Sequence, residues 1–388
     1  MSGAIRVLVM VDDLQVGGTR EVALHQAGSL DPDRFEVGFL TMAGDAESAH
    51  ARLPAHVRVL SATYRPDYRY RARDYVSDSV LAREARRSGA EVIAAIAGFS
   101  PDIVHLHTNP RNLALAKLAH KRTPFVCMLT DHLVRWLPDQ YSRAPGLALR
   151  FAYRRLYRGI HVVSVGPAVA RANASAGFLD PRLEHLTLPN QVDLARFPAR
   201  PPTSRHGSAR IVNVARLHPV KGQAALIRAF SEISSADPVR LTLVGPDSMD
   251  GELQRLARQI VAPPLEVEFL GTRDDVPELL AGATVGVLPS LREGMPLALL
   301  EMMAASLPVI VSDIPELEAL ITDGEDGLVV PTGDERRLTQ ALERLLADPE
   351  LCDRLGRAAR STAEQAMADP VAELEHFYET ALGRDADG

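Results

Sequence analysis

Two carboxylates, Glu293 and Glu301, are separated by seven intervening residues in PSLREGMPLALLEMMAASLPVIVSD, Gly294 and Pro296 among them. Pro296 suits the first position of a helix. A helix starting there turns the backbone amides of Gly294, Met295, Leu297 and Ala298 outward, as donors for an oxyanion or a sugar hydroxyl. At ~1.5 Å of rise per residue the two carboxylates are roughly 12 Å apart along the axis, too far to work as one acid–base pair. The spacing instead suits two grips on one extended ligand. Taken alone, it also suits a capping glutamate followed by a surface one.

A second pattern, NVARLHPVKG, sets Arg216 and Lys221 five residues apart across a short loop after an apolar strand. A forked guanidinium, a mobile ammonium and a following glycine suit a diphosphate, and together they would neutralise charge building on a phosphate leaving group. A third, VGGTREVALHQAGSL, places Gly17 and Gly18 between a strand and a helix, where backbone without side chains can approach a ligand or simply turn. It lacks the GxGxxG spacing of a dinucleotide site, so no such cofactor is expected. In CMLTDHLVRW, Thr130 and His132 follow a further strand, and IVHLHTN offers His107 as a lesser alternative, read as a satisfied histidine at a strand end. The adjacent pairs Asp12–Asp13 and Asp274–Asp275 lack converging ligands, so no metal is expected. Cys127 and Cys352, the only cysteines, have no paired spacing for a disulfide framework or zinc and point to a reducing compartment.

The elements that must carry these residues are apolar β-branched runs alternating with helix-period segments: IRVLVMV, FEVGFL, VRVL, IVHLH, PFVCML and HVVSV. After the Pro-rich FPARPPTSRHGSA the rhythm restarts with RIVNVA, VRLTLVG, LEVEFLG, VGVLPS, LPVIVS and GLVV. This predicts two open parallel-sheet α/β domains, over 1–190 and 200–369, facing each other across a cleft at their strand ends. A chain of 388 residues, at ~100 to 200 per domain, agrees. A composition 46% hydrophobic and 24% charged excludes wholesale disorder. The opening IRVLVMV reads as a first strand rather than a leader, and no apolar run reaches the ~18 residues of a membrane span.

The net charge of −7 hides an asymmetry: residues 1–200 hold 26 basic and 19 acidic side chains, the remainder 17 and 31. Basic clusters without interleaved aromatics argue against nucleic acid. The segment RAPGLALRFAYRRLYRGI has Leu149, Ala152, Tyr153, Leu156 and Tyr157 among arginines, a pattern that fits a solvated helix face or one lying on anionic lipid.

With these segments in view, together with VVSVGPAVARANASAGF, LPNQVDLARF, FLGTRDDVPELLAGATVGVLPS and SLPVIVSDIPELEALITDGEDGLVV, the chain resembles the retaining GT-B glycosyltransferases of family four along nearly its whole length. The resemblance implies two facing Rossmann-like domains, an acceptor domain first and a nucleotide-sugar donor domain second. It assigns the donor diphosphate to Arg216 and Lys221, the ribose hydroxyls to Glu301, the donor sugar to Glu293, and a place near the reacting sugar to His132. The implied activity is transfer of a hexose-type unit from a nucleoside-diphosphate sugar to a hydroxyl acceptor with retention, in the cytoplasm. No cofactor or metal is implied, and the acceptor is a polysaccharide, a lipid-linked sugar or a small molecule. Departures around 60–80 and 109–112 leave acceptor contacts unassigned. A nucleotide-sugar 2-epimerase of the same architecture, which EGMPLALLE argues against, and a non-catalytic sugar-binding protein are the rivals. Finally VAELEHFYETAL, after Pro370, spaces Val371, Leu374, Phe377, Tyr378 and Leu382 as an amphipathic helix, which the resemblance returns to the first domain.

Overall fold

The computed structural model describes residues 3–12, 18–42, 46–64, 89–107, 112–132, 151, 153–198, 209–366 and 370–383. It divides into two compact units: residues 1–189 with 369–388, and residues 190–368.

The first unit is a seven-stranded parallel sheet of β1 (Ile5–Val11), β2 (Phe35–Thr41), β3 (Arg58–Ser61), β4 (Ile103–His107), β5 (Val126–Asp131), β6 (His161–Ser164) and β7 (Leu186–Thr187). Its strand order is β3-β2-β1-β4-β5-β6-β7. The apolar runs read from sequence become its strands because both faces are covered: Leu8, Met10 and Leu106 pack on one side, Val7, Val9 and Ile103 on the other. The order reverses between β1 and β4, whose registers place Val11 beside His107. In such sheets ligands bind where the order switches, beyond the carboxyl ends of the strands. By this rule a ligand edge is expected at the carboxyl ends of β1 and β4, marked by Val11 and His107.

The second unit has six parallel strands: β8 (Ala209–Val214), β9 (Val239–Val244), β10 (Leu265–Gly271), β11 (Val285–Leu288), β12 (Val309–Ser312) and β13 (Leu328–Val330). Their order is β10-β9-β8-β11-β12-β13, so its switch point lies between β8 and β11. Close packing here depends on missing side chains. A Cβ on Gly356, in the helix Pro349–Ala366, would sit 2.2 Å from the carbonyl oxygen of Ser306.

The final helix, Pro370–Ala381, belongs to the first unit. Leu374, Phe377 and Tyr378 enter the core that β1 and β2 build. Phe377 meets His161 edge-on with ring centroids 5.8 Å apart, and the Tyr378 hydroxyl is 2.6 Å from Nδ1 of His105. Glu375, 6% exposed, accepts from the Asp31 amide at 2.8 Å and pairs with Arg34 at 2.5 Å. Buried aromatic and carboxylate groups with such partners cannot detach without exposing apolar surface and breaking satisfied polar contacts. Among the described residues no helix is long and apolar enough to cross a membrane.

Tyr378→Phe should lower unfolding free energy by about 1–3 kcal/mol by leaving a nitrogen of buried His105 without its partner. Removal of 370–388 should destabilise the first unit far more. Urea unfolding of the full chain against both variants measures this, and an unchanged midpoint for the truncated chain would contradict the packing just described.

Candidate active site

At the switch point of the second unit, β8 leads into Ala215, Arg216, Leu217 and His218, then a single 3-10 turn, Pro219–Lys221, then the helix Gln223–Ser231. His218 starts the turn: its Nδ1 accepts from the Val220 amide at 3.2 Å. Gly222 closes it at φ 70°, where a Cβ would lie 2.0 Å from the carbonyl oxygen of Pro289. Only glycine combines that dihedral with that approach, which explains the Lys-Gly pair visible in sequence.

The neighbouring strand β11 ends in Pro289 and Ser290, and its loop lies against the turn through the Leu291 amide, which donates to Val220 O at 2.8 Å. That contact brings the two sequence patterns together. Lys221 Nζ lies 2.7 and 2.8 Å from the carboxylate oxygens of Glu293, and Ser290 Oγ donates to the same carboxylate at 2.6 Å. The Glu293 side chain is 5% exposed and that of Lys221 21%. A carboxylate so far out of water requires such partners. Arg216 is exposed on the loop beside it. Arg216, Lys221 and Arg292 all act with burial to lower the pKa of His218, burial contributing most. The three cations therefore share one electrostatic neighbourhood, and His218 stays neutral and able to accept.

Beyond Glu293, Gly294 and Met295 are half-buried, and Asn190 holds the segment by donating from Nδ2 to the Met295 carbonyl at 2.7 Å. The helix runs Leu297–Ala304 with Pro296 as an extended N-cap at ψ 113°. This corrects the sequence expectation by one position, because the extended Pro296 must stay outside the helix for the chain to leave the Glu293 loop. Leu297 and Ala298 still open the helix, where the first amides have no intrahelical partner. Glu301 lies half-buried in its second turn.

In the first unit, Gly17 lies outside the described residues, and Gly18 is the first residue of the helix Gly18–Ser29. Asp12, just after β1, accepts from Asn112 Nδ2. His132 follows β5 and is half-buried, with its Nε2 3.3 Å from Nδ1 of His107. His107 is not the satisfied histidine expected from sequence, since its Nε2 is buried without a partner among the described residues. His105, its ring centroid 4.6 Å from that of His107 and tilted 42° to it, spans the Tyr378 and Thr130 hydroxyls, 2.6 Å from each. Burial lowers all three histidines: His105 to about 3, His132 to about 4, and His107 well below the usual imidazole range. His132 thus offers a neutral ring, able to hydrogen-bond a sugar hydroxyl without adding charge. Among the described residues no group of three His, Cys, Asp or Glu side chains is arranged to hold a metal ion.

Sequence reasoning missed Ser290, His218, Asn213 and Gln223. The serine had a readable signal, a hydroxyl three residues before the glutamate at a strand end. The others are ordinary polar residues until the fold sets them against one another.

Residues 208–348 match the family model described as Glycosyl transferases group 1, and residues 17–191 the model described as Glycosyl transferase 4-like domain. The chain is 34% identical over 177 residues to the putative glycosyltransferase EpsD of Bacillus subtilis, covering 45% of this chain and 46% of EpsD. It is 26% identical over 274 residues to an Escherichia coli UDP-Gal:alpha-D-GlcNAc-diphosphoundecaprenol alpha-1,3-galactosyltransferase, 64% of this chain and 67% of that one. The aligned stretch spans about half the length, or less, of the first curated relatives it matches. Anabaena HepE, solved with UDP and glucose, superposes with a TM-score of 0.75 over 98% of this chain and 99% of that one, at 19% identity. The likeness to HepE shows the fold, which is that of the GT-B glycosyltransferases. Along the chain, the region that matches the Glycosyl transferase 4-like domain model precedes the region that matches the Glycosyl transferases group 1 model.

Two outcomes are expected. Lys221→Ala should strand the Glu293 carboxylate at a cost of about 2 kcal/mol, and Lys221→Ala with Glu293→Gln should cost less than the single change. A double-mutant cycle in urea checks it. For the histidines the sign is fixed by their lowered folded pKa: below an unfolded value of about 6.5 the unfolded chain takes up protons that the folded chain does not. The first unit should therefore lose stability as pH falls from about 6.5 toward 4, by up to about 1.4 kcal/mol per histidine per pH unit. His132→Asn should flatten that slope in unfolding curves taken across the window.

Proposed function

We propose that this chain is a retaining glycosyltransferase of family four, transferring a sugar from a nucleoside-diphosphate donor to a hydroxyl acceptor. The observation that carries the reading is the convergence, at the switch point of the second sheet, of Arg216, Lys221 and Glu293 on a loop pair fixed by Gly222 and Ser290. In this reading the donor diphosphate binds at Arg216 and Lys221, displacing the Lys221 ammonium from Glu293 toward the phosphates. Glu293 then turns to the donor sugar, Glu301 holds the ribose hydroxyls, and the amides of Gly294, Met295, Leu297 and Ala298 add donors at the helix start. The solved complexes of HepE with UDP and with UDP-glucose support a nucleotide-sugar partner.

Chemistry follows a front-face path. The bond from the anomeric carbon to the diphosphate oxygen breaks, and the leaving oxygen accepts the proton of the acceptor hydroxyl. The acceptor oxygen then bonds the same face of the sugar. The cations stabilise charge that develops on the leaving group, where preorganised donors act most strongly. The reading assigns that neutralisation to Arg216 and Lys221 rather than to a metal. Neutral His132 serves as a donor or acceptor to a sugar hydroxyl, and Gly17 and Gly18 give the first unit a close backbone approach.

The similarity to the diphosphoundecaprenol-linked galactosyltransferase supports a lipid-linked sugar as acceptor, in polysaccharide biosynthesis. We place the chain in the cytoplasm, with the arginine-rich helix read first as a packed, solvated one, since Tyr157 is buried in the first unit's core with Tyr153 and Leu156 packed against it, and peripheral contact with an anionic membrane face as the alternative. Phe151, 67% exposed beside exposed Arg154, Arg155 and Arg158, supports that contact. Leu149 and Ala152 of the same pattern fall outside the described residues.

Incubation with a panel of nucleotide sugars should release nucleoside diphosphate, and NMR of the product should show the donor's anomeric configuration retained. Arg216→Ala and Lys221→Ala should each reduce turnover by on the order of a hundredfold. Glu301→Ala should instead weaken donor binding by roughly 1–3 kcal/mol, with less effect at saturating donor. An inverted product, or near wild-type turnover in either cation variant, would overturn the assignment.

A further inference from the structure

Two amide side chains lie in the interior of the second unit in direct contact with the backbone of the cationic loop. Asn213, in β8, is fully buried, and Gln223, the first residue of the helix after Gly222, is 1% exposed. Gln223 Nε2 donates to the carbonyl oxygen of Arg216 at 3.0 Å and to Asn213 Oδ1 at 3.4 Å. Its Oε1 accepts from the amide of His218 at 3.4 Å. Asn213 in turn donates from Nδ2 to the carbonyl oxygen of Val287, in β11, at 2.8 Å.

These contacts form one chain running from β11, through β8, to the backbone on both sides of Leu217. The opposite side of the loop is fixed by the strand β9 edge, where Ala215 donates to Val244 O at 2.9 Å and Leu217 to Pro246 O at 2.9 Å. Arg216 is thereby held by its backbone from both sides while its side chain stays exposed. Burying two amides among Ile211, Leu226 and Val285 is costly unless their polar atoms are paired, and an aliphatic pair would pack such an interior without that cost. What the amides add is a fixed position for the loop.

We propose that Gln223, braced by Asn213, is a positioning residue that presents Arg216 and the His218–Lys221 turn to the donor diphosphate. This rests on the functional reading above, in which Arg216 and Lys221 hold that diphosphate. Preorganised donors are worth more than mobile ones because no ordering is required when the ligand arrives. Loosening the loop should therefore weaken binding while leaving both cations in place.

The test is calorimetric titration of the full chain with UDP and, separately, with GDP, alongside thermal unfolding. Four proteins are compared: wild type, Gln223→Met, Lys221→Ala and Leu345→Ala. Methionine keeps the length and apolar bulk of the side chain but makes none of its three hydrogen bonds. Leu345→Ala destabilises the same core from the helix Glu335–Ala347 without contacting the loop. The expectation is about tenfold weaker nucleotide binding by Gln223→Met, on the scale of one or two lost hydrogen bonds, with wild-type affinity in Leu345→Ala despite its lower melting temperature. Wild-type affinity in Gln223→Met together with weakened binding in Lys221→Ala would overturn the positioning role and leave the diphosphate assignment standing. Equal weakening in Leu345→Ala would also overturn it, since the effect would then follow stability alone. If Lys221→Ala binds as well as wild type, or wild type binds neither nucleotide, the diphosphate assignment fails and the positioning role with it.

Discussion

The ion pair between Lys221 and Glu293 is the interaction on which the second unit's site depends. A carboxylate at 5% exposure cannot stand without a counter-charge and a hydroxyl, and here both come from neighbouring strand ends. The pair therefore couples the loop after β8 to the loop after β11, the two strands that flank the reversal of strand order. In the proposed function, an incoming diphosphate would compete with Glu293 for the ammonium. Everything around it serves that arrangement: Gly222 lets the turn lie on Pro289, His218 caps the turn, and the buried amides of Asn213 and Gln223 hold its backbone.

The first unit solves a different problem with the same sheet type. Among the described residues the ends of β4 and β5 carry histidines, and burial keeps them neutral. A polar cluster of this kind needs walls. The last helix supplies one, with Tyr378 holding His105 through its hydroxyl and the ring of Phe35 edge-on at 6.0 Å. A chain segment more than 180 residues beyond β7 thus completes the core of the N-terminal sheet, and the histidines of β4 and its neighbour β5 are tied to that helix.

Local patterns were enough for the strands. IRVLVMV, IVHLH, RIVNVA and VGVLPS are buried on both faces, so each reads as a continuous apolar run with turn residues after it. The short β7, Leu186–Thr187, went unread because two residues carry no period. Pro296 was placed inside the helix and lies just before it, since a proline with fixed φ serves equally well at either position and only ψ separates the two.

What the sequence determined by itself was the class of sheet, the division near residue 190, and the identity of the charged groups at strand ends, because hydrophobic period and residue chemistry are local properties. What only the tertiary structure decided was partnership. That Lys221 meets Glu293 across 72 positions, that His107 bonds His132 while its other ring nitrogen has no partner among the described residues, and that Gln223 reaches back to Arg216 are consequences of strand order and register. No spacing along the chain encodes which strand ends become neighbours. That follows from how two crossover directions wind onto one sheet, which brings distant loops together at the point where the winding reverses.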